Sequence, residues 1–308
     1  MANLLEDIHL AAEIEQLKQE REAVILAHVY QPPEIQEIAD FTGDSFALSR
    51  QAAATKAKVI VFCGVHFMAE TANILAPDKI TLLPAMEAGC LMFDDQLERQ
   101  LREKIAQQPE AVVISYVNTP AGVKALSDIC CTSSNAVQVV KSVPADRNII
   151  FVPDRNLASY AAEKTGRNIY CWPGACPAHG NLTVAEILEA KCKHPEALVL
   201  MHPECPAEVR TLADYIGSTS GIIEYAAQSV AAEFIVVTEC GVLYQLEHCC
   251  PGKKFYMASA KLFCSNMKKT TLRKVRDALQ TLEPKVVVPE ETRYKAEIGL
   301  RKMLEICE

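Results

Sequence analysis

The stretch YCWPGACPAH, Tyr170 to His179, stands near the middle of the 308-residue chain, and the rest of the sequence is read outward from it. An apolar strand runs into Trp172-Pro173-Gly174, where proline and glycine turn the backbone and leave Cys176 at a loop tip, with His179 just beyond. Cys90, in LPAMEAGC, lies 86 residues upstream, and Cys264, in MASAKLFC, lies 88 residues downstream. Three cysteines that each follow a strand and a turn at nearly equal intervals are the mark of an internal repeat.

Other segments recur at the same offset. VILAHVYQ (24–31), VVISYVNT (112–119) and LVLMHPEC (198–205) put His28, Tyr116 and His202 in register, with Tyr30, Asn118 and Glu204 two positions later. Gly43-Asp44-Ser45, Thr132-Ser133-Ser134 and Ser218-Thr219-Ser220 each open a predicted helix, with Ser45, Ser133 and Thr219 read as N-caps. VIVFC at Val59, NIIFV at Asn148 and EFIVV at Glu233 supply a further strand to each unit. The chain is thus one divergent unit of about 87 residues used three times. The fold class expected is α/β: three αβα three-layer domains with small parallel sheets around a pseudo-three-fold axis. Their bounds are 1–89 with 265–308, then 90–176, then 177–264.

The first helix is expected from Leu4 to Glu20, with Leu10, Ile14 and Leu17 on one face. Thr183 and Glu186 are spaced as a capping box. The tail reads as a helix on Leu272, Val275, Leu279 and Leu282, a strand Val286–Val288, and a helix on Leu300, Met303, Leu304 and Cys307; it is assigned to the first domain. Trp172 reads as a wedge between domains. Asp154 and Glu239, just past strand ends, suit either a salt bridge or a role in the site.

Half of the residues are hydrophobic, enough for sizeable cores in three small domains. A net charge of -8 argues against a nucleic-acid partner. No apolar run is long enough to span a bilayer, and the acidic, amphipathic N-terminus is unlike a signal peptide, so the cytoplasm is the expected compartment. Thirteen cysteines, an odd number with adjacent pairs at Cys130-Cys131 and Cys249-Cys250, make a poor disulfide framework. Some of the thiols are expected to bind metal in a reducing environment.

Equivalent loops that each offer one cysteine imply a shared site on the axis, able to hold zinc or an iron–sulfur cluster. Closed structural zinc takes four protein ligands, often from C-x-x-C knuckles, and no such knuckle is present. A 4Fe-4S cluster held by three cysteines keeps one iron open, which makes it a Lewis acid. The surrounding serines, histidines, tyrosines and glutamate suit dehydration or condensation of a phosphorylated, carboxylated small molecule. A zinc-dependent aldolase or dehydratase on the same scaffold is the alternative, and a catalytically silent phosphate-ligand sensor is a third.

The segments AHVYQ, GDS, CGVHFMAET, EAGC, YVNT, CTSSNAV, WPGAC, HPEC, GSTSGI, TECG and CSNMK, in this order over nearly the whole chain, resemble the quinolinate synthase family. The resemblance implies condensation of iminoaspartate with dihydroxyacetone phosphate to quinolinate, with loss of phosphate and water, on the route to NAD. It implies Cys90, Cys176 and Cys264 as ligands of a 4Fe-4S cluster, and Tyr30, His202 and Glu204 as acid–base residues. It further implies His28, Ser45, Tyr116, Asn118, Ser133, His179 and Thr219 as substrate-binding residues, and allows transient contact with an iminoaspartate-producing enzyme. Val29-Tyr30 stands where a tyrosine pair is common. Ala258 and Lys261 replace two cysteines that form a redox-controlling disulfide in some members, so that control is not expected here.

Overall fold

The computed structural model describes residues 2–306. Three four-stranded sheets, every strand parallel to its neighbours, carry the chain. The first has β1 Ala23–His28, β2 Phe41–Gly43, β3 Val59–Cys63 and β4 Ile80–Leu82. The second has β5 Val112–Tyr116, β6 Ile129–Cys131, β7 Ile149–Val152 and β8 Ile169–Cys171; the third has β9 Leu198–Met201, β10 Tyr215–Ile216, β11 Glu233–Val237 and β12 Lys254–Met257. Strand order is identical in all three, β2-β1-β3-β4, β6-β5-β7-β8 and β10-β9-β11-β12. The expected triplicated α/β layout is therefore the observed one. The central strands are near-continuous runs of valine, isoleucine and leucine because helices cover both faces of a parallel sheet and leave no side for water.

Strand register defines the equivalent positions. Ala27 pairs with Cys63, Ser115 with Val152 and Met201 with Val237, so the next residues along, His28, Tyr116 and His202, are matched. Two positions beyond Cys63, Val152 and Val237 stand Val65, Asp154 and Glu239. His28 pairs with Gly43 and Tyr116 with Cys131, while the pairing of Met201 with Ile216 sets Gly217 beside His202. Hence Asp44, Thr132 and Ser218 are equivalent, followed by Ser45, Ser133 and Thr219.

The helix starts differ from expectation by one residue or more. Asp44 caps the helix Ser45–Ala54, its carboxylate accepting from the N–H groups of Phe46 and Ala47, and Ser218 caps Thr219–Gln228 by accepting from Gly221. In the second unit the helix begins only at Ala136, after a turn in which Asn135 accepts from the N–H of Thr132. The preceding residue, still extended, is the one whose side chain can reach back to the free N–H groups. Ser45, Ser133 and Thr219 are thereby released from capping. The capping box of Thr183 and Glu186 is present as expected.

The first helix, Ala2–Glu20, buries Leu10 and Ile14 against Leu272, Val275 and Leu279 of the helix Leu272–Thr281. That later helix stops one residue short of Leu282, which adopts the left-handed conformation at φ 56. The strand expected at Val286–Val288 is an extended segment making one bridge, Leu82 to Lys285, and a bond from the N–H of Val286 to Thr81. The last helix, Glu290–Glu305, buries Ala296, Leu300 and Met303 over β6 of the second sheet. Cys307 lies outside the described residues. Trp172 is not a wedge between units: it packs within the second unit on Leu97, Leu101, Val113 and Ile150. The first and third units share a core in which Leu26 and Phe62 meet Ile222, Val236 and Leu246. No helix among the described residues is long and apolar enough to cross a membrane.

Candidate active site

In a parallel α/β sheet, the loops at the carboxyl ends of the strands are free to carry chemistry while the strands stay buried. Here three such edges face one another around a cavity of about 120 Å3. That is room for a small metabolite, on the measure by which one water takes about 10–15 Å3. The first-strand ends bring His28, Tyr30, Tyr116, Asn118, His202 and Glu204 to its wall. The helix starts bring Ser45, Ser133 and Thr219; the fourth-strand loops bring Cys90, Cys176, His179 and Cys264. Every site residue expected from the sequence thus lines the same cavity, although the residues come from loops spread over most of the chain.

Two histidines are set alike by symmetry. The main-chain N–H of Tyr30 donates to Nδ1 of His28 at 3.1 Å, and that of Glu204 to Nδ1 of His202 at 3.4 Å. An Nδ1 that accepts leaves the ring proton on Nε2. Burial drives His28 down to about 4 against the opposing charge of Asp44, and it drives His202 below its ordinary range against that of Glu204. Both rings are neutral Nε2–H donors at physiological pH.

Glu204 is buried, and burial opposes its ionisation. The charge that His202 carries when protonated, with hydrogen bonds from His179 and Tyr116, outweighs that cost and holds the carboxyl below the usual range. Its Oε2 lies 2.9 Å from Nδ1 of His179 and 3.5 Å from Nδ1 of His202, while its Oε1 has no partner. Asn118 Oδ1 is also buried and unpartnered. Two orphaned acceptors on one cavity wall are costly in a packed interior and are positioned for a ligand, an ion or ordered water.

Tyr30 presents its hydroxyl between two others, 2.8 Å from Thr219 Oγ1 and 2.7 Å from Thr238 Oγ1. Thr238 also reaches His179 Nε2 at 3.0 Å. Burial raises the phenols of Tyr30 and Tyr116 well above their usual value, so both are protonated. Thr238 was missed in the sequence, where it looks like one more β-branched residue at the end of EFIVVT. The only signal was its place beside Glu239.

Asp154 and Glu239 are fully buried. Asp154 caps the helix Arg155–Thr165 through Leu157 and accepts the N–H of Cys176 at 3.1 Å. Glu239 accepts the N–H groups of Gly241 at 2.7 Å and Cys264 at 3.1 Å, and it pairs with Lys268 at 3.0 Å. Lys268 in turn donates to the carbonyl of Tyr30.

Burial raises all three cysteine thiols: Cys90 up to about 12, Cys176 well above its ordinary value, and Cys264 in the same direction. Without a cation the sulfurs are thiols, and metal binding would release their protons. Cys176, His179 and Glu204 form a second donor set, one atom from each lying within 4.8 Å of the others. Among the described residues no other group of three His, Cys, Asp or Glu donors is so compact, so the three cysteine sulfurs are more widely spread. Around a single zinc, thiolates at about 2.3 Å from the ion sit closer together than that. The donors therefore fit either a multi-iron group spanning three sulfurs or one ion at the tighter set.

Residues 12–305 match the family model described as quinolinate synthetase A protein. The chain is 55% identical over 297 residues to the quinolinate synthase of Desulforudis audaxviator, covering 96% of this chain and 98% of that protein. It is 52% identical over 297 residues to the quinolinate synthase of Methanoregula boonei, with the same coverage of both chains. The quinolinate synthase of Clostridium kluyveri is 50% identical over 303 residues, 98% of this chain and all of that protein.

Proposed function

This chain belongs to the quinolinate synthetase A family, and from that premise we propose that it is an enzyme condensing iminoaspartate with dihydroxyacetone phosphate to quinolinate, with loss of phosphate and water, on the route to NAD. The reading rests above all on one observation. Cys90, Cys176 and Cys264, from equivalent positions in three units, line the same cavity as a buried, ionised Glu204 with a free oxygen. In this reading Cys90, Cys176 and Cys264 hold a 4Fe-4S cluster. When bound, it supplies an iron with an open position that acts as a Lewis acid on the substrate.

The chain's own residues supply the rest. Ser45 and Thr219, at the first positions of ten-residue helices, join Ser133 in offering hydroxyl and N–H donors to phosphate and carboxylate oxygens. The Nε2–H groups of His28 and His202 orient the anionic ends, and Tyr116 and Asn118 close the wall beside them. Glu204 takes protons from carbon during isomerisation and dehydration through its unpartnered Oε1. His179 keeps that carboxylate in place. Tyr30, protonated and held between Thr219 and Thr238, donates a proton to a departing oxygen. Twelve unpaired cysteines among the described residues support a reducing compartment, the cytoplasm. Iminoaspartate hydrolyses readily, which supports a transient contact with the enzyme that makes it.

The zinc alternative keeps one specific support, since a cysteine, a histidine and a carboxylate within 4.8 Å are a set that zinc accepts. Anaerobic purification with iron, sulfide and zinc analysis decides between the two. About four irons and four sulfides per chain, with turnover of the two substrates to quinolinate, supports the cluster reading. A colourless zinc protein overturns it.

A further inference from the structure

Strand register makes Val65, Asp154 and Glu239 equivalent, each two positions past the third strand of its sheet. In the second and third units this position is a fully buried carboxyl group, and each accepts the main-chain N–H of that unit's own cysteine. Cys176 donates to Asp154 and Cys264 to Glu239, both at 3.1 Å. The two carboxyl groups are also anchored. Asp154 Oδ1 takes the N–H of Leu157 at 2.7 Å, and Glu239 takes that of Gly241 at 2.7 Å together with Lys268. Val65 in the first unit has no side-chain acceptor to offer Cys90.

Two fully buried carboxyl groups at matching places call for an explanation that a helix cap alone does not provide. Asp154 caps a helix, while Glu239 makes no side-chain cap to the helix Val242–Cys249. What they share is the bond to the cysteine N–H. The geometry points to Asp154 and Glu239 as positioning residues that fix the backbone of Cys176 and Cys264, so that two of three cluster ligands are held in place before the metal arrives and Cys90 is the one set without such a brace. This rests on the three-cysteine reading above. A carboxylate on a ligand's main-chain N–H acts as partners beyond the ligand shell do elsewhere: it fixes the direction of the donor atom and slows its departure.

The test is the rate at which chelator strips iron from the reconstituted protein, followed by loss of visible absorption, in wild type, Asp154→Asn and Glu239→Gln. Each substitution keeps one acceptor oxygen and removes the other. Both variants are expected to lose iron about ten-fold faster or more. Thr183→Ala, which removes a helix cap that bonds to none of the three cysteines and to neither Asp154 nor Glu239, serves as the stability control and is expected to lower the unfolding temperature with iron loss unchanged. If Asp154→Asn does not fold, Glu239→Gln carries the comparison alone. Wild-type protein that takes up no iron overturns both the cluster reading and this inference. Loaded wild type whose iron leaves no more slowly than from the two variants, or a Thr183→Ala protein that loses iron as fast as they do, overturns the inference alone.

Discussion

The hydroxyls of Tyr30 and Thr238 lie 2.7 Å apart, joining the end of β1 in the first sheet to the end of β11 in the third. Thr238 then reaches His179 Nε2, whose other ring nitrogen lies 2.9 Å from Glu204. One run of polar contacts thus connects the proposed proton donor on one wall to the proposed base on another.

Tyr30→Phe removes the shared member of that run and leaves two buried threonine hydroxyls facing a ring edge. Turnover is expected to fall by about 100-fold or more, as for loss of a positioned acid. The stability cost should stay at about 1–2 kcal/mol, because the threonine hydroxyls can turn to other partners. Steady-state quinolinate formation and a denaturant curve on the same preparation check both parts. Undiminished turnover would remove Tyr30 from the mechanism.

Glu204→Gln keeps the shape and removes the charge. The rate of quinolinate formation should drop by about 10²–10⁴-fold while iron content stays at the wild-type level. If the variant loses its iron along with its activity, Glu204 belongs to the metal's ligand set, as the Cys176-His179-Glu204 grouping allows.

Cysteine substitutions should separate ligands from packing. Cys176→Ala is expected to purify without iron, whereas Cys63→Ala is expected to keep it. Cys63 is buried in the first unit's core among Ile25, Val61 and Leu82, away from the cavity. Iron analysis of the two variants side by side is the measurement, and a fully loaded Cys176→Ala would end the three-thiolate model.

Gly174 precedes Cys176 by two residues, and its Cα faces two main-chain oxygens. A Cβ there would lie 2.5 Å from the carbonyl oxygen of Pro153 and 2.7 Å from that of Met92. Neither backbone can retreat easily, so Gly174→Ala should destabilise by about 1–3 kcal/mol and displace the cysteine loop. Urea unfolding and iron content should fall together. A variant with wild-type values for both would mean that the loop tolerates the shift.

Acid sensitivity has a surface contribution from Glu186. Burial is the largest single effect and opposes its ionisation, but hydrogen bonds from Ser259, Thr183 and Lys261 together prevail and hold its carboxyl at about 2, against 4.5 when unperturbed. A group depressed in the folded state contributes stability above its unfolded value and loses it as pH falls through the folded one. Glu186→Gln should therefore be less stable than wild type near neutrality, by about 1 kcal/mol from the weakened capping box. The gap should close between about pH 4.5 and 2. A gap that persists unchanged at pH 2 would contradict the assignment.

Much of this was legible in the sequence because period and chemistry reinforced each other. Three cysteines at matched offsets, with His28, Tyr116 and His202 in step, were sufficient to locate one shared cavity. The second strand of each unit was not legible: β2, β6 and β10 are two or three residues long, too short to show alternation. The caps were misplaced by one residue because Asp44 and Ser45, or Ser218 and Thr219, are both plausible cap types, and only backbone conformation separates them. Thr238 was invisible since its partner Tyr30 lies 208 residues away. The bonds of Asp154 and Glu239 to cysteine N–H groups likewise depend on loops closing in space.

The helix Glu290–Glu305 buries Ala296, Leu300 and Met303 against the second sheet's core, alongside Ile129, Val139 and Phe151. During synthesis, the strands of that sheet leave the ribosome long before the helix that seals them. A nascent chain carrying all three units but not yet this helix still exposes the apolar flank around Ile129. The core of the middle unit is thus complete only once a helix that follows the third unit in the chain has been made.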